Sequence, residues 1–138
     1  MKRLVASLCF TALIAGCAGS STVTVGGRPV SIPTDAAEEH EKLIENIGIY
    51  DDPELQAYID EIGARLVANS SMPNQEFTFT LLDSPDINAF ALPGGLIYIN
   101  RGLLAYLDSE AELAGVIAHE IGHLSLIHIS EPTRLAEI

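Results

Sequence analysis

Two histidines and a glutamate occupy five consecutive positions, His119-Glu120-Ile121-Gly122-His123, in the arrangement HExxH. On a helix that advances 100° per residue, the two imidazoles lie about 40° apart and the Glu120 carboxylate about 100° from His119. Both rings can therefore bind one Zn²⁺ ion, with the carboxylate beside the water that completes its coordination. We expect His119 and His123 to be zinc ligands, Glu120 to be the general base, and the reaction to be hydrolysis of a peptide bond. The alternative, two ordinary helix histidines, gives no packing reason for this spacing.

A helix is predicted where this motif requires one. Ser109 and Glu112 form a capping box, in which the serine hydroxyl accepts from the amide three residues on and the glutamate reaches back to the cap. Apolar residues then recur at helical spacing and predict a buried stripe, beside which the HExxH side chains project. The stripe consists of Leu113, Ala114, Ile117, Ile121 and Leu124.

The amino terminus is typical of a secretory signal. Met1-Lys2-Arg3 is basic, residues 4–14 form an apolar run too short to span a bilayer, and small residues follow. Ile14-Ala15-Gly16-Cys17 also resembles a bacterial lipobox, with isoleucine in place of the usual leucine. We therefore expect residues 1–16 to be a lipoprotein signal peptide and Cys17 to carry the lipid. The alternative is a plain signal peptide followed by an incidental cysteine.

The composition limits the partners. The formal net charge is −12, and removal of residues 1–16 leaves five basic and 19 acidic residues, a net charge of −14. Such an acidic body gives no footprint for nucleic acid, so we expect no nucleic-acid partner and membrane contact only through the lipid. The expected partners are protein or peptide substrates, with envelope assembly partners as further candidates. Ala18 after the lipid cysteine favours the outer membrane of a Gram-negative bacterium, on its periplasmic side.

The 138-residue chain is long enough for one small domain or part of a larger one. Residues 19–31 are rich in Gly, Ser, Thr and Val without helical periodicity, so we expect residues 17–34 to consist of the lipidated cysteine and a flexible tether. The domain itself is expected to span residues 35–123. It begins with a helix capped by Asp35, continues with a helix capped by Asp52, and places His40 in the first helix as a solvated side chain.

Two β-strands are predicted ahead of the helix that carries the HExxH motif, which we call the metal helix. Residues 77–81 alternate as a half-buried strand, and a Pro-Gly-Gly turn leads into a second run. Pro93 argues that this region lies at a sheet edge, whose free N–H and C=O groups can pair with an extended substrate. The candidate substrate-binding residues are Gly95, Leu96, Ile97 and Tyr98. An ordinary hairpin is the alternative, and the sequence leaves both open.

Four segments in this order resemble the HtpX and CAAX-prenyl-protease type of gluzincin metallopeptidase, and its secreted bacterial lipoprotein branch in particular. They are Asp52–Leu55, Asn88–Gly95, Ile97–Leu104 and Glu112–His123. The resemblance implies an α+β, zincin-like fold with a small antiparallel sheet, one zinc ion held by His119 and His123, and Glu120 as general base. It also implies that the third ligand is a glutamate on a later helix and that a downstream histidine acts near the oxyanion.

The last residues resemble a different kind of sequence. Leu124–Arg134 matches the in-frame translation of a common transposase-type sequencing adaptor. We therefore interpret residues 124–138 as an adaptor-derived tail, and the rest as the N-terminal part of a peptidase domain. His128 is then a false ligand, and it lies about 140° around a helix from His123 in any case. A genuine carboxyl terminus is the alternative.

The function predicted for the complete protein is zinc-dependent cleavage of envelope or periplasmic proteins in proteolytic quality control, with this fragment inactive for want of a third ligand. Two other classes remain open. One is a non-catalytic envelope chaperone or assembly lipoprotein that keeps the metal helix for structure. The other is a structural lipoprotein in which the motif is coincidental. Loss of cleavage in a Glu120→Gln form of the complete protein separates the first from the second, and bound zinc argues against the third.

Overall fold

The computed structural model describes residues 19–25 and 28–130, with side chains as far as Leu126. The predicted signal peptide and Cys17 lie outside the described residues. The elements are β1 (Ser20–Val25), β2 (Arg28–Pro33), α1 (Thr34–Asn46), α2 (Pro53–Ala68), β3 (Thr78–Leu82), β4 (Ala89–Leu92), β5 (Leu96–Asn100), α3 (Arg101–Tyr106) and α4 (Glu110–Ser130). The predicted α+β class is confirmed. No helix of the described ranges is both long and apolar enough to cross a bilayer.

The strands form two small sheets. β1 and β2 make an antiparallel hairpin, and the other three strands make a sheet in the order β3-β5-β4. β4 pairs antiparallel with β5, whereas β3 pairs with β5 in parallel, so the three-stranded sheet is mixed. The chain leaves β3, forms β4 one strand's width away, and turns back so that β5 fills the gap. β5 is therefore the central strand.

Helices and strands cover both faces of this mixed sheet. α2 and α4 cover one face, which we call the helix face, and α1 with the β1–β2 hairpin covers the other, the hairpin face. Because side chains alternate along a strand, β5 sends Ile97 and Ile99 to the helix face and Leu96 and Tyr98 to the hairpin face. Burial on both faces explains why β5 is an unbroken apolar run up to Asn100.

The β1–β2 hairpin corrects the prediction of a flexible tether. Residues 20–25 pair with residues 28–33 along the whole length of both strands, and Val23, Val25 and Ile32 are buried against the sheet. The sequence contained the signal, since valine and isoleucine alternate with serine and threonine on both sides of a Gly-Gly dipeptide. Burial of those alternate apolar side chains is what offsets the entropy of ordering the segment.

The starts of the first two long helices differ in how well they follow the prediction. α2 begins as predicted, because the Asp52 carboxylate accepts from the Leu55 amide at 3.0 Å and a proline occupies the first turn. α1 begins at Thr34 without a side-chain cap, and Asp35 lies in its first turn instead of capping it. There the acidic side chain still favours the helix through the positive end of the helix dipole.

The start of α4 confirms the predicted capping box with one shift. The Ser109 hydroxyl accepts from the Glu112 amide at 3.3 Å. The Glu112 carboxylate accepts from the Asp108 amide at 2.8 Å, one residue before the serine. Both bonds satisfy amides that have no partner within the helix, so the metal helix begins at the position set by its own sequence.

Candidate metal centre

The two motif histidines lie together on the exposed side of α4. Nε2 of His119 is 2.8 Å from Nε2 of His123, and the ring centroids are 4.4 Å apart with the planes at 86°. At this distance one ring can donate an N–H to the lone pair of the other. The two nitrogens thus converge on one place outside the helix, as side chains four residues apart can.

Glu120 occupies the adjoining strip of the helix surface and is far less accessible. Its side chain is 9% exposed, whereas both histidines are exposed. The reason is its position between Ile117 and Leu124, which are buried in the core of the helix face. The carboxylate is therefore held at the margin of the core beside the histidine pair, partly shielded from bulk water.

The histidine pair fits part of a zinc site. Imidazole is a common Zn²⁺ ligand with a metal–nitrogen length of about 2.0–2.1 Å, so two nitrogens on one tetrahedral ion lie about 3.3 Å apart. A small rotation of either ring reaches that separation. Among the residues that the structure describes, no group of three or more His, Cys, Asp or Glu side chains could hold a metal ion. The pair is thus a candidate for two of the three protein ligands that a catalytic zinc needs.

The predicted substrate-binding strand does not lie at a sheet edge. Leu96, Ile97 and Tyr98 belong to the central strand β5, are at most 1% exposed, and have a strand on either side. Their main chain has no free edge to offer a substrate, so this prediction is corrected. Gly95 is required by geometry instead, because its φ is 83° and a Cβ there would lie 2.3 Å from the Glu76 carbonyl oxygen.

The outer strand on the side of the metal helix is β4. It pairs only with β5 among the described strands, and it lies against α4. Its residues, Ala89–Leu92, are half-buried, in contrast to the fully buried β5. The predicted sheet edge next to Pro93 is therefore present, but it belongs to β4, before the turn, and not to the strand after it.

Two side chains of α2 anchor the first turn of α4. Tyr58 Oη donates to the Glu110 carboxylate at 2.8 Å, and the Arg65 guanidinium donates to its other oxygen at 2.7 Å. These two bonds, the tyrosine's first, hold the pKa of Glu110 below its usual range. The anchor holds the start of α4 against α2, about two and a half turns before His119.

The hairpin face contains a buried polar pair, His40 and Tyr98, that was not predicted from the sequence. His40 is 5% exposed and not solvated as predicted, and its Nδ1 lies 2.6 Å from the Tyr98 hydroxyl. Burial lowers the pKa of His40, although Glu41 and the Thr24 backbone act in the opposite direction. Burial also raises the pKa of Tyr98, so both groups are neutral at neutral pH and the hydroxyl donates to the ring.

The missed pair had a partial signal. His40 precedes Leu43 and Ile44 by three and four residues, so it lies on the apolar stripe of α1. That spacing predicts burial, but nothing local reveals that the partner is Tyr98, 58 residues further along the chain. Tyr98 in turn stacks on Phe90 of β4, with ring centroids 5.1 Å apart.

Comparison with known proteins places this site in a family. The model of peptidase family M48 matches residues 53–137, which include α2, the mixed sheet and the HExxH helix. The chain belongs to peptidase family M48. The matched residues begin after α1, so the hairpin and α1, with His40, lie outside the match.

Individual relatives carry names of two kinds. The chain is 43% identical to the beta-barrel assembly-enhancing protease of Yersinia pestis over 91 residues, 63% of this chain and 19% of that protein. It is 39% identical to the protein of the same name from Escherichia coli K12 over 82 residues, 59% of this chain and 17% of that protein. It is also 39% identical to the mitochondrial metalloendopeptidase OMA1 of Arabidopsis thaliana over 64 residues, 46% of this chain and 13% of that protein. The chain thus spans less than a fifth of the length of these relatives.

Proposed function

We propose that the complete protein is a zinc-dependent metalloendopeptidase that cleaves envelope or periplasmic proteins. The observation that carries the proposal is the convergence of the His119 and His123 Nε2 atoms, 2.8 Å apart, beside the shielded Glu120 carboxylate. Membership of peptidase family M48 and the word metalloendopeptidase in the name of one relative support it. Within the family, the resemblance of the sequence motifs favours the HtpX and CAAX-prenyl-protease type.

In this proposal His119 and His123 are two of the ligands of one zinc ion, and Glu120 is the base. Zinc, when bound, polarises the scissile carbonyl and acidifies the attacking water. The Glu120 carboxylate accepts one proton from that water as its oxygen bonds to the carbonyl carbon. It then delivers the proton to the amide nitrogen as the C–N bond breaks, so the carboxylate is regenerated. Its position at the core margin keeps it close to the reacting water and limits competing solvent.

We propose β4, and not β5, as the strand that orients the substrate. β4 is the outer strand on the side of α4, so its outward N–H and C=O groups can pair with an extended main chain. A peptide held along that edge runs beside the helix that carries the histidine pair. Pairing through the main chain gives binding with little dependence on side chains, which suits cleavage of many unfolded proteins.

The decisive variant is Glu120→Gln in the complete protein. It removes the proton acceptor and keeps the ligands, so turnover of casein is expected to fall by about 10²–10⁴-fold while the zinc content stays unchanged. Zinc is measured on the same samples as cleavage. Glu112→Gln is the matched control, because it makes the same chemical change in the same helix away from the histidines and should leave turnover intact. Undiminished cleavage by the Glu120→Gln protein would show that the base is another group. Full zinc with no cleavage in the unaltered protein would favour the non-catalytic chaperone.

We also propose that the protein is lipid-anchored through Cys17 on the periplasmic side of the outer membrane, where it takes part in proteolytic quality control. The lipobox-like Ile14–Cys17 supports the anchor, and the bacterial relatives named for beta-barrel assembly support an envelope role with assembly proteins as partners. Mass spectrometry of the mature amino terminus is expected to find an acylated Cys17. A free thiol, or cleavage at another bond, would contradict the anchor.

A last part of the proposal concerns residues 124–138. We propose that they are adaptor-derived, that the natural sequence differs after His123 and supplies the third ligand, and that the chain as it stands is inactive. The adaptor resemblance supports this, while the family match, which reaches residue 137, weighs against it. Genomic sequence beyond the His123 codon distinguishes the two: a continuation identical through Ile138 would contradict the proposal.

A further inference from the structure

The outer strand on the far side of the mixed sheet, β3, borders a cleft of about 610 Å³. This edge cleft lies between α2 and the β1–β2 hairpin, and its volume is within the range of about 300–1,000 Å³ usual for ligand sites. Its lining includes residues 77–80, Ala64 and Val67 of α2, and Arg28 of the hairpin. It is separate from the metal helix, which lies by the opposite edge of the sheet.

Part of the β3 edge already has partners. Thr78 N–H donates to Gly95 in the parallel ladder, so the main-chain groups of Phe77, Phe79 and Leu81 face outward. The Gln56 side chain acts as a substitute strand there. Its Nε2 donates to the Phe79 carbonyl and its Oε1 accepts from the Leu81 amide, both at 3.0 Å.

The first part of the edge remains free. Beyond the Gln56 amide, the Phe79 N–H and the main-chain groups of Phe77 face the edge cleft, with no partner among the described residues. Free edge groups of this kind are what an added strand pairs with. Gln56 already occupies the Phe79 carbonyl and the Leu81 amide. An added strand can therefore pair only with the Phe79 N–H and the main chain of Phe77, which limits its register.

The charged side chains that line the edge cleft determine which kind of peptide can bind there. Asp60 and Glu61 line it on the α2 side. Asp60 accepts one bond, from Gln56 Nε2 at 3.0 Å, and no basic group of the described residues lies within 4 Å of its carboxylate. Burial raises the pKa of Asp60 in spite of the more distant Arg28. Covering this carboxylate further with a neutral or acidic ligand is costly, whereas a cation compensates for the lost water.

We propose that the edge cleft binds an extended, basic segment of another polypeptide, which adds a strand to β3 at Phe77–Phe79 and places a lysine or arginine against Asp60. Alternate apolar side chains of the segment pack on Ala64 and Val67. The acidic body, with a formal net charge of −12, attracts such a segment at long range. The edge cleft is thus a second peptide-binding site, and it does not depend on the metal.

The test uses a fluorescein-labelled peptide of alternating valine and lysine, titrated with the purified 138-residue chain and followed by fluorescence anisotropy. Saturable binding is expected, weakened by added salt. Ala64→Trp places a large ring in the edge cleft and should abolish binding, whereas Ala111→Trp, at an exposed position of α4 outside the edge cleft, should not. Asp60→Asn should weaken binding about five- to tenfold, and Glu54→Gln, the same loss of charge outside the edge cleft, should leave it unchanged.

Three results would overturn the proposal. One is equal binding of a valine–glutamate peptide, which would remove the charge selection. Another is equal binding of a valine–lysine peptide methylated on alternate backbone nitrogens, which would exclude strand addition. The third is absence of saturable binding by the unaltered chain and the Ala111→Trp form. Circular dichroism establishes that each variant is folded, and the methylated peptide decides the question without any variant if Ala64→Trp fails to fold.

Discussion

The two sides of the mixed sheet carry histidines in different environments, buried on one side and exposed on the other. On the hairpin face, His40 is 5% exposed and its ring is bonded to Tyr98, so its hydrogen-bonding capacity is used by the fold. On the helix face, His119 and His123 are exposed, and their nitrogens turn toward each other at 2.8 Å. The first arrangement stabilises one conformation, and the second places two imidazole nitrogens at the surface, where a metal ion could replace the bond between them.

The difference shows what separates a structural histidine from a candidate ligand in this chain. A buried imidazole requires hydrogen-bond partners within the protein, and Tyr98 of the distant strand β5 supplies the partner of the His40 Nδ1 atom. An exposed pair at a spacing of four residues has no such requirement, so its convergence is not explained by packing. The comparison also predicts that the two sites fail in different ways when they are altered.

The largest effect is expected from removing one histidine of the exposed pair. In the complete protein, His123→Ala should lower zinc affinity and turnover by about 100-fold or more, since one of three protein ligands is lost. The free energy of unfolding of the zinc-free protein should change by no more than about 0.5 kcal/mol, because the side chain is exposed.

His40→Ala should do the reverse. It leaves the Tyr98 hydroxyl buried without a partner and opens a small cavity, at a cost of about 2–4 kcal/mol. Zinc bound per folded molecule should stay the same. Metal analysis and urea unfolding on both variants measure the contrast. If His40→Ala lost zinc from the folded protein, or His123→Ala unfolded the metal-free protein, the division into structural and ligand histidines would be wrong.

The same comparison shows how far sequence could predict this structure. The metal helix follows from local signals, since the capping box at Ser109 and the stripe through Ile117 and Ile121 require no knowledge of the rest of the chain. The central position of β5 does not, because the order β3-β5-β4 depends on a parallel pairing between strands that are not consecutive. The assignment of the substrate strand failed for that reason, and the bond from His40 to Tyr98 is non-local in the same way.

Lowering the pH is expected to have a smaller effect on stability, which comes from His40 on the hairpin face. Burial holds the pKa of folded His40 below its ordinary value, so as the pH falls below about 6.5 the unfolded chain takes up the proton first. The contribution of His40 to stability is thus complete above about pH 6.5. It decreases below that, by up to about 1.4 kcal/mol per pH unit until the folded state is protonated too.

Urea unfolding of the unaltered protein and of His40→Leu between pH 5 and 7 isolates this slope, because the difference between the two cancels groups common to both. Tyr98→Phe is the control: it removes the hydroxyl but leaves the buried ring, so stability should drop by about 1–2 kcal/mol at neutral pH. An identical pH dependence in the unaltered and His40→Leu proteins would contradict the assignment of His40 as a neutral buried group.

The smallest effect is expected at the anchor between α2 and α4. Glu110→Gln removes the charge that receives Arg65 and Tyr58, but the ion pair is exposed, with 56% of the Arg65 side chain and 48% of the Glu110 side chain accessible. Exposed pairs gain little over hydrated charges and are screened by salt. The loss of stability should be smaller than that caused by Tyr98→Phe and should shrink further in high salt, whereas the Tyr98→Phe loss should not change with salt. Urea unfolding of both variants at low and high salt measures this. An equal, salt-independent loss for the two would mean that the start of the metal helix is held as tightly as the buried pair on the hairpin face.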